Sequence, residues 1–256
     1  MYIYILLVAL TPVLVLLFYI YRKDKDQPEP KKEMAKAFLY GVVSVFVSLC
    51  ISTLFSQMGL FDIECNTIDD AIRFSFFGAA IPEEIAKYLM LLLFLRKCNY
   101  FDQRMDGIVY AVCVSLGFAA LENVMYLVGN YDTWVYLGIS RALTAIPGHF
   151  VFGILMGYYY SLRTFDTGSF VNAKYKVLLI PILVHGIYDV ICFSMDVLPY
   201  VAAILMILFL VFCHKLWKYG INRVKEVIVR DKIQPVNLGE QPSHENNLLP
   251  GDRFEQ

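Results

Sequence analysis

The stretch Pro82-Glu83-Glu84-Ile85-Ala86-Lys87 lies inside the predominantly apolar run Ala71–Leu95. As a single helix, that run is long enough to cross a hydrocarbon core of about 30 Å. Each charge near the middle of such a helix costs roughly 2.5–3.5 kcal/mol on insertion scales. Charges persist at that depth when they face a polar interior, pair with one another, or do chemistry. Lys87 follows Glu83 at i+4 and Glu84 at i+3, so it can lie beside either carboxylate on one helical face. Pro82 removes a backbone donor and frees the carbonyl of Gly78, which predicts a bend or break just before the two glutamates. The positive end of the resumed helix would then face them.

The rest of the chain places this stretch in a membrane. Hydrophobic residues make up 58% of the sequence, above the roughly half-apolar composition of soluble domains. They cluster into about seven runs, each able to span a bilayer: Tyr2–Tyr21, Phe38–Met58, Ala71–Leu95, Gly107–Val128, Trp134–Tyr160, Val177–Met195 and Val197–Trp217. The connections alternate in charge. Arg22, Lys23, Lys25, Lys31, Lys32 and Lys36 follow the first run, whereas Asp62, Glu64, Asp69 and Asp70 follow the second. Arg96, Lys97 and Arg104 make the third connection basic, Arg163, Lys174 and Lys176 the fifth, and Lys215, Lys218, Arg223, Lys225, Arg230 and Lys232 the C-terminal side. Positive charge on alternate loops puts the N-terminus outside and the C-terminus in the cytoplasm. The expected fold is all-α, a polytopic membrane helix bundle, and the protein a multi-pass integral membrane protein.

Tyr2–Tyr21 reads as a retained anchor, because its basic residues follow the apolar run instead of preceding it. Cys50, Cys113, Cys192 and Cys213 fall within runs and Cys98 on the cytoplasmic side, leaving Cys65 as the one outer cysteine, so no outer disulfide is expected. One membrane domain over residues 1–230 is followed by a polar, Pro- and Gly-containing tail, 231–256, which reads as disordered. The apolar runs imply a lipid-bilayer environment, and a net charge of −1, which hides the partition of charge between the two faces, implies no nucleic-acid partner.

Other spans carry their own polar groups. Phe118-x-x-x-Glu122-Asn123-x-x-Tyr126 puts Glu122 and Tyr126 on one face, and any basic partner of Glu122 must come from another helix. His149 follows Pro147-Gly148, and His185 precedes Asp189 by one turn. An imidazole with a carboxylate at i+4 suits an oriented base or two ligands to one metal. Counted from the outer ends, Glu83, Glu84, His149 and His185 fall near the midplane and Glu122 in the outer half. Compatible heights on four spans suit a single water-filled cavity.

No serine or cysteine nucleophile sits beside a base, and no His-Glu-x-x-His motif is present. Carboxylate plus imidazole suits general-base activation of water or a hydrolytic metal site. In a membrane, that chemistry points to hydrolysis of a substrate that is itself membrane-embedded.

Glu83-Glu84-x-x-Lys87, Phe118-x-x-x-Glu122-Asn123, His149 and His185-x-x-x-Asp189 together resemble the motif pattern of PrsW-type intramembrane proteases, distant relatives of the CAAX prenyl endopeptidases and Abi proteins. The resemblance covers the span 71–195, the expected protease core. It implies an endopeptidase of the bacterial cytoplasmic membrane that makes the first cut in a single-span protein such as an anti-sigma factor, within a stress response. It also implies catalytic roles for Glu83, Glu84, His149 and His185, with Lys87, Glu122, Asn123 and Asp189 supporting them. His149, His185 and Glu122 are the expected ligands if a metal is present. No cofactor follows with certainty. The donors suit Zn²⁺, and they also suit a metal-free glutamate–histidine site, the simpler of the two because it needs only a base and polarised donors. Two other readings remain open on the residues alone. Intramembrane Glu, Asp, His and Lys also mark proton- or ion-coupled transporters, and an Abi-like protein could bind a partner without catalysis.

Overall fold

The computed structural model describes residues 2–166 and 172–236. These residues form helices α1 (Tyr2–Lys23), α2 (Lys31–Gln57), α3 (Ile68–Arg73), α4 (Ile81–Leu95), α5 (Arg104–Gly129), α6 (Trp134–Leu143), α7 (Ala145–Phe165), α8 (Ala173–Val197) and α9 (Ala202–Ile233), with no strand among them. Among the described residues, six helical stretches are long and apolar enough to cross a membrane. The expected span Ala71–Leu95 is the remaining one, and it is divided. It starts at α3, passes through a π-helical segment, Phe74–Ala80, and continues as α4. The expected break before the glutamates is therefore a π-helical stretch, a feature common at functional sites. The Ser52 hydroxyl of α2 donates to the Gly78 carbonyl at 2.9 Å, satisfying the acceptor that Pro82 deprives of its helical partner.

Local sequence explains several helix ends. The Thr67 hydroxyl receives the Asp70 amide, and the Asp70 carboxylate returns the bond to the Thr67 amide at 2.8 Å, a capping box that starts α3. At the end of α2, Gly59 adopts φ +70° while its amide reaches Ser56 O and the Leu60 amide reaches Phe55 O. This is a Schellman closure, and a positive φ favours glycine there. The expected span Trp134–Tyr160 is broken as well: Thr144 separates α6 from α7 with φ −126° and ψ −66°.

Helix α5 is the axis of the bundle and packs on α1, α2, α4, α6, α7 and α9. Every residue from Arg104 to Ala120 is buried, the pattern of a helix enclosed on all sides. Glycines permit this density. A Cβ on Gly41 of α2 would lie 2.0 Å from Val114 O, and one on Gly117 of α5 would lie 2.0 Å from Phe38 O. Backbones therefore meet across small residues, as is usual when helices pack in lipid. The outer helices present apolar side chains outward, including Leu14 and Phe18 on α1, Leu39 and Phe46 on α2, and Ile207 and Leu210 on α9. In a bilayer these faces meet acyl chains.

The helix termini carrying the basic connections gather at one end. Lys232 at the close of α9 pairs with Asp26 after α1 at 2.7 Å, and Arg104 at the start of α5 pairs with Asp231 of α9 at 3.1 Å. At the opposite end, the Tyr2 ring lies 6.4 Å from that of Tyr131, beyond α5. Asp231, Lys232 and Ile233 belong to α9, and the rest of the expected tail from 237 onward lies outside the described residues.

Candidate active site

The divided helix delivers the first three groups. With α4 beginning at Ile81, Glu83, Glu84 and Lys87 fall in its first turns, and Lys87 turns back onto both carboxylates. Its Nζ donates to Glu84 Oε1 at 2.9 Å and to Glu83 Oε2 at 3.2 Å. The third contact of the ammonium is His149 Nδ1 at 3.1 Å. Lys87 is fully buried and has three N–H donors, and three acceptors meet them. The face of the Phe118 ring lies 4.2 Å from the ammonium, which gives the phenylalanine of the α5 motif a physical role as a cation–π partner.

His149 lies near the middle of the α6–α7 stretch. If Lys87 donates to Nδ1, the ring proton sits on Nε2, which points to Glu122 Oε2 at 3.1 Å. The Ser115 hydroxyl donates to the His149 carbonyl at 2.6 Å and ties α7 to α5 at this level. His185, near the middle of α8, has Nδ1 at 2.9 Å from Glu84 Oε1 and Nε2 at 3.3 Å from Asp189 Oδ2. The Phe152 ring stacks on it at 4.6 Å. All eight residues singled out from the sequence thus converge, from α4, α5, α7 and α8.

One member of the cluster has no counterpart in the sequence reading. Arg141 of α6 donates to Glu122 Oε2 at 2.6 Å and to Asn123 Oδ1 at 2.8 Å, and its guanidinium lies over the Tyr126 ring at 4.0 Å. It is the basic partner that Glu122 lacked within its own helix. Asn123 in turn donates to the Ala9 carbonyl at 3.0 Å and so anchors α1. An arginine within the apolar run Trp134–Tyr160 was the available signal. It went unread because Arg141 matched no motif.

A cavity of about 580 Å³ opens beside these groups. Glu83, Glu122, Arg141, His149, His185 and Asp189 border it, while Glu84 and Lys87 do not. Exposure separates the two glutamates in the same way: the Glu83 side chain retains 14% of its surface and Glu84 none. The cavity wall reaches Asn130, at the end of α5 remote from the basic connections.

The donors also bear on a metal. Glu83, Glu84 and His149 offer ligand atoms that all lie within 4.8 Å of one another, and the Glu84 Oε2 oxygen is buried without a hydrogen-bond partner. Two carboxylates and an imidazole fit a hydrolytic ion such as Zn²⁺. The Lys87 ammonium contacts the same three side chains. The convergent set differs from the expected His149, His185 and Glu122, since Glu122 is engaged by Arg141 and the His185 ring nitrogens face Glu84 and Asp189.

A multi-pass helical bundle whose carboxylates and imidazoles line an internal cavity has the parts of an intramembrane protease. Comparison with known proteins supports that class. A family model described as PrsW family intramembrane metalloprotease matches residues 29–214. Proteins named Protease PrsW are similar over most of the chain. The one from Clostridioides difficile (strain 630) is 32% identical, covering 88% of this chain and 92% of its own. Those from Geobacillus kaustophilus (strain HTA426) and Bacillus subtilis (strain 168) are 30% and 31% identical, each over 75% of this chain and over 77% and 80% of their own. No solved structure matches. The chain belongs to the PrsW family of intramembrane proteases. It is a peptide hydrolase and a multi-pass integral membrane protein. The family description as metalloproteases makes a metal plausible and runs against the metal-free arrangement favoured on the residues alone.

Proposed function

We propose that this protease cleaves single-span membrane proteins at the internal cavity, with Glu83 as the base that activates water. The observation that carries this assignment is the division of labour between adjacent glutamates: Glu83 borders the cavity, and Glu84 is sealed between Lys87 and His185. A base must reach both water and the scissile bond, and Glu83 alone of the pair meets that condition. Its contacts with Lys87 and His185 fall on Oε2, so Oε1 is the oxygen placed to take a proton.

In this mechanism Glu83 removes a proton from water as the water oxygen bonds to the scissile carbonyl carbon. At the cavity wall the Nε2–H groups of His149 and His185, which face Glu122 and Asp189 in the resting site, turn from those carboxylates to stabilise the developing oxyanion. Collapse of the tetrahedral species breaks the C–N bond, and the proton held by Glu83 passes to the leaving nitrogen. Lys87 positions both glutamates and His149, while Asp189 and Glu122 orient the two imidazoles. Asn123 holds Arg141 against Glu122. Glu83, Glu84 and His149 are the residues that would hold Zn²⁺, which would have to displace the Lys87 ammonium from all three and would make Glu83 a ligand instead of the base. When bound, the ion would supply Lewis-acid polarisation of water and of the scissile carbonyl.

The site's location and the family support a membrane-anchored protein as substrate, and the class proposed is a regulator such as an anti-sigma factor. Co-expression with a tagged single-span substrate tests the assignment. Glu83→Gln should abolish cleavage while leaving protein level and melting temperature near wild type, because its carboxylate is partly exposed. Undiminished cleavage by Glu83→Gln would remove Glu83 from the mechanism. Treatment with a chelator should abolish activity and added Zn²⁺ restore it. Full activity in metal-depleted protein would rule out the ion.

A further inference from the structure

A second cluster of acids lies at the opposite end of α5 and takes no part in the chemistry above. Asp24 follows α1, Glu29 precedes α2, and Asp106 stands in the first turn of α5. All three are buried, Asp106 completely, and each offers an oxygen within 4.8 Å of the other two.

Neutral donors satisfy part of each carboxylate. The Tyr110 hydroxyl donates to Glu29 Oε2, and the Glu29 amide donates to Asp24 Oδ2 at 3.3 Å. Asp106 Oδ2 accepts the amides of Asp102 at 2.9 Å and Gln103 at 2.6 Å, as the return half of the helix cap. That leaves Asp106 Oδ1 for the cluster, and it is buried with no hydrogen-bond partner. No lysine or arginine forms a salt bridge with any of the three among the described residues. The nearby arginine, Arg104, is spent on Asp166 and Asp231. Buried carboxylates are ordinarily paired with a cation or coordinate a metal; here, among the described residues, no cationic side chain pairs with them, and the carboxyl groups of Glu29 and Asp106 face each other.

We infer that Asp24, Glu29 and Asp106 form a binding site for a hard divalent cation, Ca²⁺ or Mg²⁺, that fastens the α1–α2 connection to the start of α5. Three carboxylates with no nitrogen or sulfur donor select hard ions over zinc or copper. Asp24 also borders a separate cavity of about 500 Å³, whose wall includes Lys23, Asp26, Asp102 and Lys232, so the cluster is approached from its Asp24 side. The site is distinct from the intramembrane one, whose donors include an imidazole.

The test is titration of the full-length protein in detergent, stripped of metal, with Ca²⁺ and separately with Mg²⁺, followed by calorimetry. A single saturable site is expected for at least one ion. Asp106→Asn should weaken binding roughly tenfold or more, since affinity at oxygen sites follows the number of charged ligands. Asp24→Asn, outside any helix, should do the same and decides the matter if Asp106→Asn fails to fold. Mn²⁺ bound in place of either ion should show no nitrogen hyperfine coupling by pulsed electron paramagnetic resonance. Three results would overturn the inference: no saturable binding at millimolar ion, binding unaltered in the Asp24→Asn variant, or nitrogen coupling that moves the ion to a histidine site. The first is the result expected if the carboxyls share protons instead.

Discussion

Lys87 Nζ lies 3.1 Å from His149 Nδ1, so the ammonium of α4 fixes the imidazole of α7 while binding both glutamates of its own helix. One side chain thereby sets the spacing between the base and an imidazole. Lys87→Met leaves Glu84 buried without its cation, and breaking a buried pair from one side costs about 3–5 kcal/mol. Thermal unfolding in detergent should report a large fall in stability, and substrate cleavage should be lost. Lys87→Arg should restore neither, because a planar guanidinium cannot present donors to three acceptors arranged around a point charge. Wild-type melting with either substitution would refute this role.

The Arg141–Glu122 pair at 2.6 Å predicts strong coupling between α6 and α5. Arg141→Met and Glu122→Gln should each lower stability and activity. The double variant should lose less than the sum, with a coupling energy of about 0.5–3 kcal/mol in a double-mutant cycle. Additive effects would mean that the two groups do not act together.

Close backbone contact at Gly117 predicts intolerance of side chains there. Gly117→Val would drive a methyl-bearing carbon into the Phe38 carbonyl, and neither backbone can yield cheaply. Overpacking of this kind costs about 1–3 kcal/mol or more. Gly129→Ala, where an added Cβ meets nothing within 4 Å, should leave the melting temperature nearly unchanged. Equal melting of the two variants would contradict the α2–α5 packing.

Asp166, just past α7, predicts an acid-labile contact. Burial raises its carboxyl, but hydrogen bonds from Arg104 and Arg230 outweigh burial and hold it below its ordinary value of 3.8. A depressed carboxyl contributes stability above the unfolded value and loses it as pH falls through the folded one. Melting temperatures of wild type and Asp166→Asn should therefore differ at neutral pH and converge below about pH 4. A gap that persists in acid would locate the effect elsewhere.

Much of the site was legible because charge in an apolar run is costly and therefore conspicuous. Glu83, Glu84, Lys87, Glu122, His149, His185 and Asp189 stand out by that criterion, and the cluster contains all of them. Arg141 met the same criterion but lacked a motif to draw attention. Asp24, Glu29 and Asp106 were illegible for a different reason. Acids beside basic loops look solvated in sequence, and their burial arises only when the α1–α2 connection folds onto α5. The π-helical turn was foreshadowed by Pro82, but its length and its Ser52 partner depend on α2.

The sequence by itself determined the membrane-spanning helices, the alternation of their ends and the chemical inventory of the site. Each of these follows from local cost: apolar length, loop charge, and the price of an intramembrane ion. Tertiary structure decided which partner each ion takes, that Glu83 and not Glu84 meets the cavity, and that Lys87 stands among Glu83, Glu84 and His149. Helical spacing leaves both glutamates equivalent with respect to Lys87. Only the packing of α5, α7 and α8 around α4 seals one of them and leaves the other open to water.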